Sequence, residues 1–412
     1  MKNKLLILLF LLLIPTALLA QEEEEKTYKV SISGFISSEI IYDTRQPVAA
    51  REGDVLLFTA PINRDANGDD INDNPTFNMV NIHSRFRVRV DGPEMFGAQS
   101  SALLESDFVG TGNEFISMMR LRHAIIKLDW ENTSLLAGQY WHPFFVVSTY
   151  PQVAGWGGGI PYAILSRNPQ VRFGFNLSDN ISGSLTALAH RDFASTGPQG
   201  QTPDYLRNGG MPELNLNLEY HTDGFRIGAV GGYKQIMPRT TDLDENKLDE
   251  TLGSLQGNIY TRLDIGDFTA KVQGLYGENM YNFVMMGGYA EFIDQNTGDI
   301  SYSNYRTGAL WTELLYTQDR LTYSLFGGYS ENYGTEDTPS AQQTVNRYGR
   351  GNNIDTTYRI APRLTYTIAD FQIMGEISYN ATNYGSIEND GTVSNTEKAS
   401  AIRTHIHLKY SF

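Results

Sequence analysis

Hydrophobic and polar residues alternate one by one along many segments of this chain. Residues 214–220 read LNLNLEY, residues 255–265 read LQGNIYTRLDI, and residues 403–412 read RTHIHLKYSF. Side chains two positions apart share one face of a β-strand, so each of these segments has an apolar face and a polar face. The pattern therefore predicts many amphipathic strands and little helix.

The connections between the alternating segments differ in length. Short polar turns are predicted at seven places: 91–94, 131–133, 178–180, 222–224, 266–267, 318–319 and 369–370. Between them lie eight long stretches rich in Asn, Asp, Gly, Thr and Pro: 43–77, 107–117, 141–170, 190–212, 235–253, 277–304, 330–355 and 380–397. This rhythm requires sixteen strands. Short periplasmic turns on one side and long outer loops on the other are typical of transmembrane barrels.

A membrane-spanning sheet of this kind has to close on itself. Lipid offers no water to satisfy backbone N–H and C=O groups, so an open sheet edge is excluded. The last strand must then pair with the first, at residues 28–43. We predict an all-β fold, a 16-stranded antiparallel transmembrane β-barrel over residues 28–412. A soluble sandwich or a lipocalin-like barrel is the alternative, because its core strands also alternate.

The N-terminal segment predicts export. Lys2 and Lys4 precede an uninterrupted apolar run over residues 5–14, and Ala20 precedes a polar segment. We interpret residues 1–20 as a signal peptide and residues 21–27 as a short acidic segment. The chain has no Cys, which excludes disulfides and thiolate chemistry, and its net charge of −15 argues against nucleic acid as a partner.

Basic side chains gather on polar strand faces. Residues 77–90 place Val80, Ile82 and Phe86 on one face and Arg85, Arg87 and Arg89 on the other. An arginine facing lipid near the bilayer midplane costs about 2–4 kcal/mol, so these residues are expected to face the lumen. The predicted pore-lining bases are Arg85, Arg87, Arg89, Arg120, Arg122, Arg172, Arg403 and Lys409. Glu105 and Asp107 on the adjacent strand are the predicted acidic partners, and the excess of bases predicts anion preference.

Three segments carry a resemblance to a known family: RLRHAIIKLDW at 120–130, SLLAGQYWHPF at 134–144 and the terminal HLKYSF. With the whole strand rhythm, they resemble the sixteen-stranded trimeric porins of Gram-negative outer membranes, and within that superfamily the DcaP-like porins. The resemblance implies a homotrimer integral to the outer membrane, in contact with lipid and lipopolysaccharide. It also implies that the barrel-assembly machinery reads Tyr410 and Phe412 as an assembly signal.

By the same resemblance, residues 141–170 occupy the position of the third loop, which folds inward and constricts the lumen. This segment is far less charged than the other loops. An apolar loop of this length would expose a large apolar surface if it lay in water, which also favours packing inside the barrel. Its predicted constriction residues are Trp141, His142, Phe144, Tyr150, Trp156, Tyr162 and Arg167.

Two further groups could bind metal. Asp65, Asn67, Asp69 and Asp73 present oxygens at the alternating spacing of calcium loops, but Asp70 stands where the EF-hand has Gly and Thr76 where it has Glu. A solvated acidic loop is the simpler interpretation. His405 and His407 share a face, with His83 across the seam, but scattered histidines without Cys are a weak metal signal. We expect no cofactor.

The sequence predicts a channel and no enzyme, because His123, His142, His190 and His221 fall on different elements without a nucleophile motif. The predicted function is passive diffusion of small hydrophilic solutes, anionic or neutral, with anion preference. The alternatives are a channel selective for sugars, dicarboxylates or phosphate, and a non-conducting structural or adhesion barrel with a plugged lumen.

Overall fold

The computed structural model describes residues 27–155 and 157–412, and strands dominate this part of the chain. Helix is limited to the single turn α1 (Asp204–Asn208) and to two 3-10 turns, Asn113–Phe115 and Met280–Phe283. No helix of the described residues is long and apolar enough to cross a bilayer. The strands are β1 (Lys29–Asp43), β2 (Pro47–Ala50), β3 (Val55–Thr59), β4 (Thr76–Val80), β5 (Arg85–Met95), β6 (Ala98–Asp107), β7 (Arg120–Asp129), β8 (Thr133–Trp141), β9 (Arg167–Ser178), β10 (Ile181–Leu188), β11 (Glu213–His221), β12 (Phe225–Ile236), β13 (Leu252–Ile265), β14 (Phe268–Glu278), β15 (Gly287–Asp294), β16 (Ile300–Gln318), β17 (Leu321–Thr335), β18 (Gln343–Arg350), β19 (Ile354–Ile368), β20 (Phe371–Ile387) and β21 (Val393–Ser411).

Sixteen antiparallel strands close into a barrel, as predicted. Each wall strand pairs with the next along the chain, and β4 and β5 together form the second wall strand. The barrel closes where β1 pairs with β21 on one side, with Ile40 opposite Ile406, and with β5 on the other. The pair β2–β3 forms a separate hairpin, and β15 and β18 pair with each other beyond the wall. Complete closure leaves no free sheet edge, which satisfies the backbone in lipid.

The connections follow the predicted rhythm, with corrections at one short turn and at three long stretches. The first short turn is at Phe96–Gly97, so the prediction at 91–94 is wrong; β5 continues to Met95 through an irregularity between Asp91 and Glu94. The irregular stretches predicted at 277–304, 330–355 and 380–397 are also wrong in part. The first two contain β15 and β18, and in the third β20 extends to Ile387 and β21 begins at Val393. Where strands extend beyond the bilayer, both of their faces contact water and carry polar side chains. The alternation of apolar and polar residues that predicts a strand is therefore missing there.

The outer surface of the barrel is apolar across its middle. Near the short turns a set of exposed aromatic residues surrounds this belt, as in membrane barrels: Tyr220, Phe268, Tyr316, Tyr323, Tyr410 and Phe412. The outward apolar side chains include Val30, Ile32, Ile36, Phe86, Leu104, Leu121, Ile126, Val171, Phe173, Leu185, Leu216, Ile227, Leu255, Ile259, Leu310, Leu325, Ile360, Ile377, Ile402 and Ile406.

Val80 and Ile82, predicted on this outer face, are buried instead. The reason is the break between β4 and β5, after which the alternation restarts with the opposite phase. Phe77 and Met79 take the outward positions on β4. A one-residue shift of this kind moves every side chain to the other face of a strand.

The core lies inside the barrel, in the half nearer the long loops. Three segments fold inward and pack together: the hairpin segment (residues 44–60, containing β2 and β3), the constriction loop (residues 142–166, between β8 and β9) and residues 279–286. Their buried members include Val55, Phe144, Ile160, Phe283 and Met285. Only the constriction loop was predicted from the sequence, so the lumen holds more protein than expected.

Candidate pore and constriction site

The constriction loop crosses the lumen to the far wall. The backbone N–H of Gln152 donates to both carboxylate oxygens of Glu313 on β16, each at 3.1 Å. The N–H of Ala154 donates to Glu376 Oε2 on β20 at 3.1 Å, and the carbonyl of Ala154 accepts from His407 Nδ1 on β21 at 3.0 Å. These bonds join the middle of the loop to strands far from its own, so the inward fold predicted for this segment is confirmed.

The start of the loop is held by a buried histidine–carboxylate network. His142 Nε2 lies 2.7 Å from Glu213 Oε1, and His190 Nε2 lies 2.9 Å from Glu213 Oε2. The N–H of Phe144 donates to His142 Nδ1 at 3.2 Å, so His142 carries its proton on Nε2 and donates it to the carboxylate. Glu213 on β11 thus joins the constriction loop to the segment after β10.

Aromatic packing fixes the rest of the loop. Trp141 stacks on Phe145 with ring centres 3.9 Å apart, and Phe144 stacks on Phe283 at 5.2 Å. The Tyr162 hydroxyl lies 3.1 Å from Thr357 Oγ1 on β19. The predicted constriction residue Trp156 lies outside the described residues. The apolar composition that suggested an inserted loop therefore forms a packed core within the lumen.

The predicted basic and acidic residues on neighbouring strands form one ion-pair network. Arg122 Nε lies 2.7 Å from Glu105 Oε1, and Arg122 Nη1 lies 2.8 Å from Asp107 Oδ2. Arg120 Nε pairs with Asp107 Oδ1 at 2.7 Å. Arg85 and Arg87 on β5 pair with Glu105 from the other side, Arg85 at 3.6 Å. Four guanidinium groups share two carboxylates, so the network retains two positive charges.

The network faces a cavity between the constriction loop and the short turns, which we call the basal cavity. Its volume is about 480 Å³. Aromatic rings of Phe35, Trp141, Phe145 and Tyr150 form part of its wall. Its cationic lining residues are Arg85, Arg87, Arg122, Arg363 and Lys409, and no carboxylate side chain lines it among the described residues. Glu105 and Arg122 are both buried, whereas the side chains of Arg85 and Arg87 are partly exposed and carry positive charge at the water.

The remaining predicted pore residues lie elsewhere. Arg89 is half exposed toward the short turns and pairs with Asp91 at 2.8 Å. Arg172 donates to the carbonyl of Trp141 at 2.7 Å, and the guanidinium carbon of Arg167 lies 4.9 Å from the Trp141 ring centre. Arg403 forms two 2.8 Å bonds with Asp43 and lines a second, smaller cavity. Arg120 and Asp107 are buried inside the network.

Several residues of the site were not predicted. Arg363 on β19 lies 3.3 Å from Glu313, which also pairs with Lys271 at 2.9 Å, so this group also has more bases than acids. The signal for Arg363 was available, because it alternates with outward-facing Leu364. The sequence of the hairpin segment shows no comparable alternation of polar and apolar residues, so its short strands cannot be distinguished from an irregular loop.

The hairpin segment packs above the constriction loop and is bonded to the wall. The Tyr384 hydroxyl donates to the carbonyl of Thr59 at 2.7 Å, and Thr59 Oγ1 donates to the carbonyl of Asn380 at 3.2 Å. A cavity of only about 30 Å³ separates the two inserts, lined by Asp54 and Gly157 among others. Burial raises the pKa of Asp54, in the turn of the hairpin, well above its usual value.

The predicted calcium loop is ordered by its own hydrogen bonds. Asp65 Oδ1 accepts from the N–H groups of Asn67 at 2.8 Å and Asp69 at 3.0 Å. Asp70 pairs with Arg45 at 2.6 Å, and hydrogen bonding from Arg45 lowers the pKa of Asp70 to about 2. These contacts order the loop, and calcium binding there stays a prediction.

Neither a protein-family model nor a curated relative matches this sequence. The fold, in contrast, is similar to solved outer-membrane structures. The outer membrane channel DcaP of Acinetobacter baumannii has a TM-score of 0.68 and 16% identity, covering 96% of this chain and 100% of that one. The fold is that of the outer-membrane porins.

Two other solved structures agree with this assignment of the fold. The anion-selective porin from Comamonas acidovorans has a TM-score of 0.57 at 8% identity, covering 94% of this chain and 100% of that one. OmpT of Vibrio cholerae, solved in a trimer form, has a TM-score of 0.55 at 13% identity, with coverage of 94% and 100%. The porin fold, with DcaP among its examples, is the resemblance that the sequence predicted.

Proposed function

We propose that this protein is an outer-membrane porin, a passive channel for small hydrophilic solutes that prefers anions. The observation that carries the proposal is the wall of the basal cavity, which has five cationic side chains and no carboxylate among its described lining residues. Fixed positive charge along a water-filled passage raises the local concentration of anions and lowers that of cations. No catalysed step is part of this proposal.

The acidic net charge of −15 does not oppose anion preference. Much of the acid lies in long loops such as residues 241–250, TDLDENKLDE, away from the cavity. Inside the barrel, Glu105 and Asp107 are fully buried behind arginines. The charge that a solute meets is set by the side chains that reach the water, and in the basal cavity these are basic.

The porin fold and the apolar belt support a position integral to the outer membrane, in contact with lipid and lipopolysaccharide. The trimer form of OmpT supports a homotrimer. Tyr410 and Phe412 are exposed on the outer face of the last strand. That position supports their proposed role as a signal for the barrel-assembly machinery.

Two alternatives have specific support. Guanidinium groups beside Trp141 and Phe145 could select a carboxylate, phosphate or sugar, because arginine bonds anions in bidentate fashion and flat rings pack on sugars. The small space between the hairpin segment and the constriction loop favours a narrow or non-conducting barrel. Each alternative has its own outcome in electrical recording.

The test is planar-bilayer recording of the purified mature chain in a KCl gradient. We expect steady conductance steps and a reversal potential with the sign of a chloride-preferring channel. A potassium-preferring reversal potential would overturn the anion preference. Absence of any conductance would support the non-conducting barrel, and block by one added dicarboxylate, phosphate or sugar would support the selective channel.

A further inference from the structure

A cluster of imidazole and carboxylate groups lies at the seam of the barrel, where β1 meets β21 and the break between β4 and β5. One donor atom from each of Glu39, His83 and His407 lies within 4.8 Å of the other two. We propose that these three side chains form a binding site for a divalent transition metal, with zinc as the ion that fits best. The site is independent of the proposed transport of solutes.

The donor set and spacing suit zinc. Two imidazoles and one carboxylate, with water in the fourth position, are a common zinc ligand set, and bonds of about 2.0–2.1 Å place tetrahedral donors about 3.3 Å apart. His83 Nδ1 lies 3.3 Å from Glu39 Oε1. His407 Nε2 lies 4.0 Å from the same oxygen. A small rotation of the His407 ring would therefore complete the geometry.

His407 is already prepared as a ligand. Its Nδ1–H donates to the carbonyl of Ala154 at 3.0 Å, which leaves the lone pair on Nε2. Nε2 is buried and has no hydrogen-bond partner. Histidines that bind metal usually donate their other N–H to a carbonyl or carboxylate in this way. A buried nitrogen without a partner is costly, and a metal bond would remove that cost.

A second carboxylate adds to the negative charge at the site. Asp54, from the turn of the hairpin segment, is 2% exposed; no amide, hydroxyl, imidazole or guanidinium group donates to its carboxylate oxygens, and its side chain lies against that of Glu39. It lies in the electrostatic field of Glu39 and His405. His405 Nε2 lies 2.8 Å from Glu39 Oε2, on the side away from His83. A dication would compensate the negative charge of these two buried carboxylates.

Binding would require one local rearrangement. Arg85 Nη2 lies 3.4 Å from His83 Nε2, and a guanidinium can only donate, so His83 carries its proton on Nδ1 when metal is absent. Metal at Nδ1 would move this proton to Nε2. Arg85 would then give up the 3.4 Å contact and keep its ion pair with Glu105 at 3.6 Å. The number of protons on His83 is unchanged.

The ion has a path to the site. His83 and His407 both line the basal cavity, whereas Glu39 is fully buried beneath them. An ion entering from the short-turn side would meet the two imidazoles first. The bond from His407 to Ala154 would then connect the bound metal to the middle of the constriction loop.

The test is titration of the detergent-purified full barrel, stripped with EDTA, with ZnCl₂ by calorimetry and with CoCl₂ by absorption. We expect one zinc per chain and the intense absorption of tetrahedral Co²⁺. His407→Ala and His83→Gln should each weaken binding by roughly tenfold or more. His221→Ala is the matched control, because its ring lies on β11 beside Glu219.

Circular dichroism of each variant confirms that the barrel has folded, and either variant suffices if the other does not fold. Wild-type protein that takes up no zinc, or that binds it equally after both substitutions, would overturn the proposal. An octahedral Co²⁺ spectrum would overturn it as well, because it would indicate a solvated ion held at the surface. None of these outcomes bears on conductance, so the proposed function is tested separately.

Discussion

Lys409 offers the sharpest test of the charge in the basal cavity. Its ammonium nitrogen lies 5.3 Å from the centre of the Phe35 ring and lines the cavity. It forms no ion pair with a carboxylate of the described residues, unlike the arginines beside it. Lys409→Gln removes the charge and retains a polar side chain of similar reach. The buried ion-pair network is left intact, so the barrel should fold normally.

The size of the effect follows from the dimensions of the cavity. A sphere of about 480 Å³ has a radius of about 5 Å, which sets the distance between Lys409 and a central ion. Two unit charges at that distance interact by about 0.8 kcal/mol in bulk water. Salt at 0.1 M, with a Debye length of about 10 Å, reduces this to about 0.5 kcal/mol. The charge stabilises chloride and destabilises potassium by the same amount, so the free-energy difference between the two ions should change by about 1 kcal/mol. This corresponds to a roughly fivefold change in the chloride-to-potassium permeability ratio.

The assay is the reversal potential of single channels in a KCl gradient, measured for wild type and variant side by side. Lys247→Gln is the matched control, because Lys247 is exposed on an outer loop and pairs with Asp249 at 2.5 Å. We expect a loss of chloride preference in Lys409→Gln alone. An unchanged permeability ratio in Lys409→Gln, or an equal change in the control, would refute the argument that the basal cavity sets selectivity.

Three further changes test other parts of the structure. Replacing residues 47–59 by a short Gly–Ser linker should raise single-channel conductance, because the hairpin fills the lumen above the constriction loop; equal conductance would contradict this. Gly34→Ala should lower the thermal unfolding temperature measured by circular dichroism, since the new Cβ would lie 2.2 Å from the carbonyl oxygen of Arg85. Gly231→Ala, with open space around it, is the control, and an equal effect would argue against crowding at the seam. Deleting Phe412 should slow assembly into membranes in a cell-based insertion assay, and assembly at the normal rate would remove the case for a terminal signal.

The closed barrel could be predicted because its cause is local. Alternation along residues such as 214–220 follows directly from lipid on one side of the wall and water on the other. The same reasoning placed Arg85, Arg87 and Arg122 inside, and all three line the basal cavity. It failed at Val80 and Ile82, where the break in the second wall strand reverses the phase without any local signal.

The inward inserts were predicted only in part. The inward position of the constriction loop could be inferred because an apolar loop of that length has to be packed away from water. The hairpin segment, which begins and ends among polar residues, carries no such signal. Its position depends on bonds to Asn380 and Tyr384, more than three hundred residues away in the chain. Pairings of this kind depend on the curvature of the closed wall, which brings distant strands to one lumen.

The sequence by itself determined the strands, their two faces and the order of short and long connections. These depend on each residue and its neighbours two positions away. The tertiary structure alone decided which arginines reach water, because Glu105 and Asp107 pair with them across strands. It also decided that Glu39, His83 and His407 meet, since only closure of the barrel joins its first and last strands.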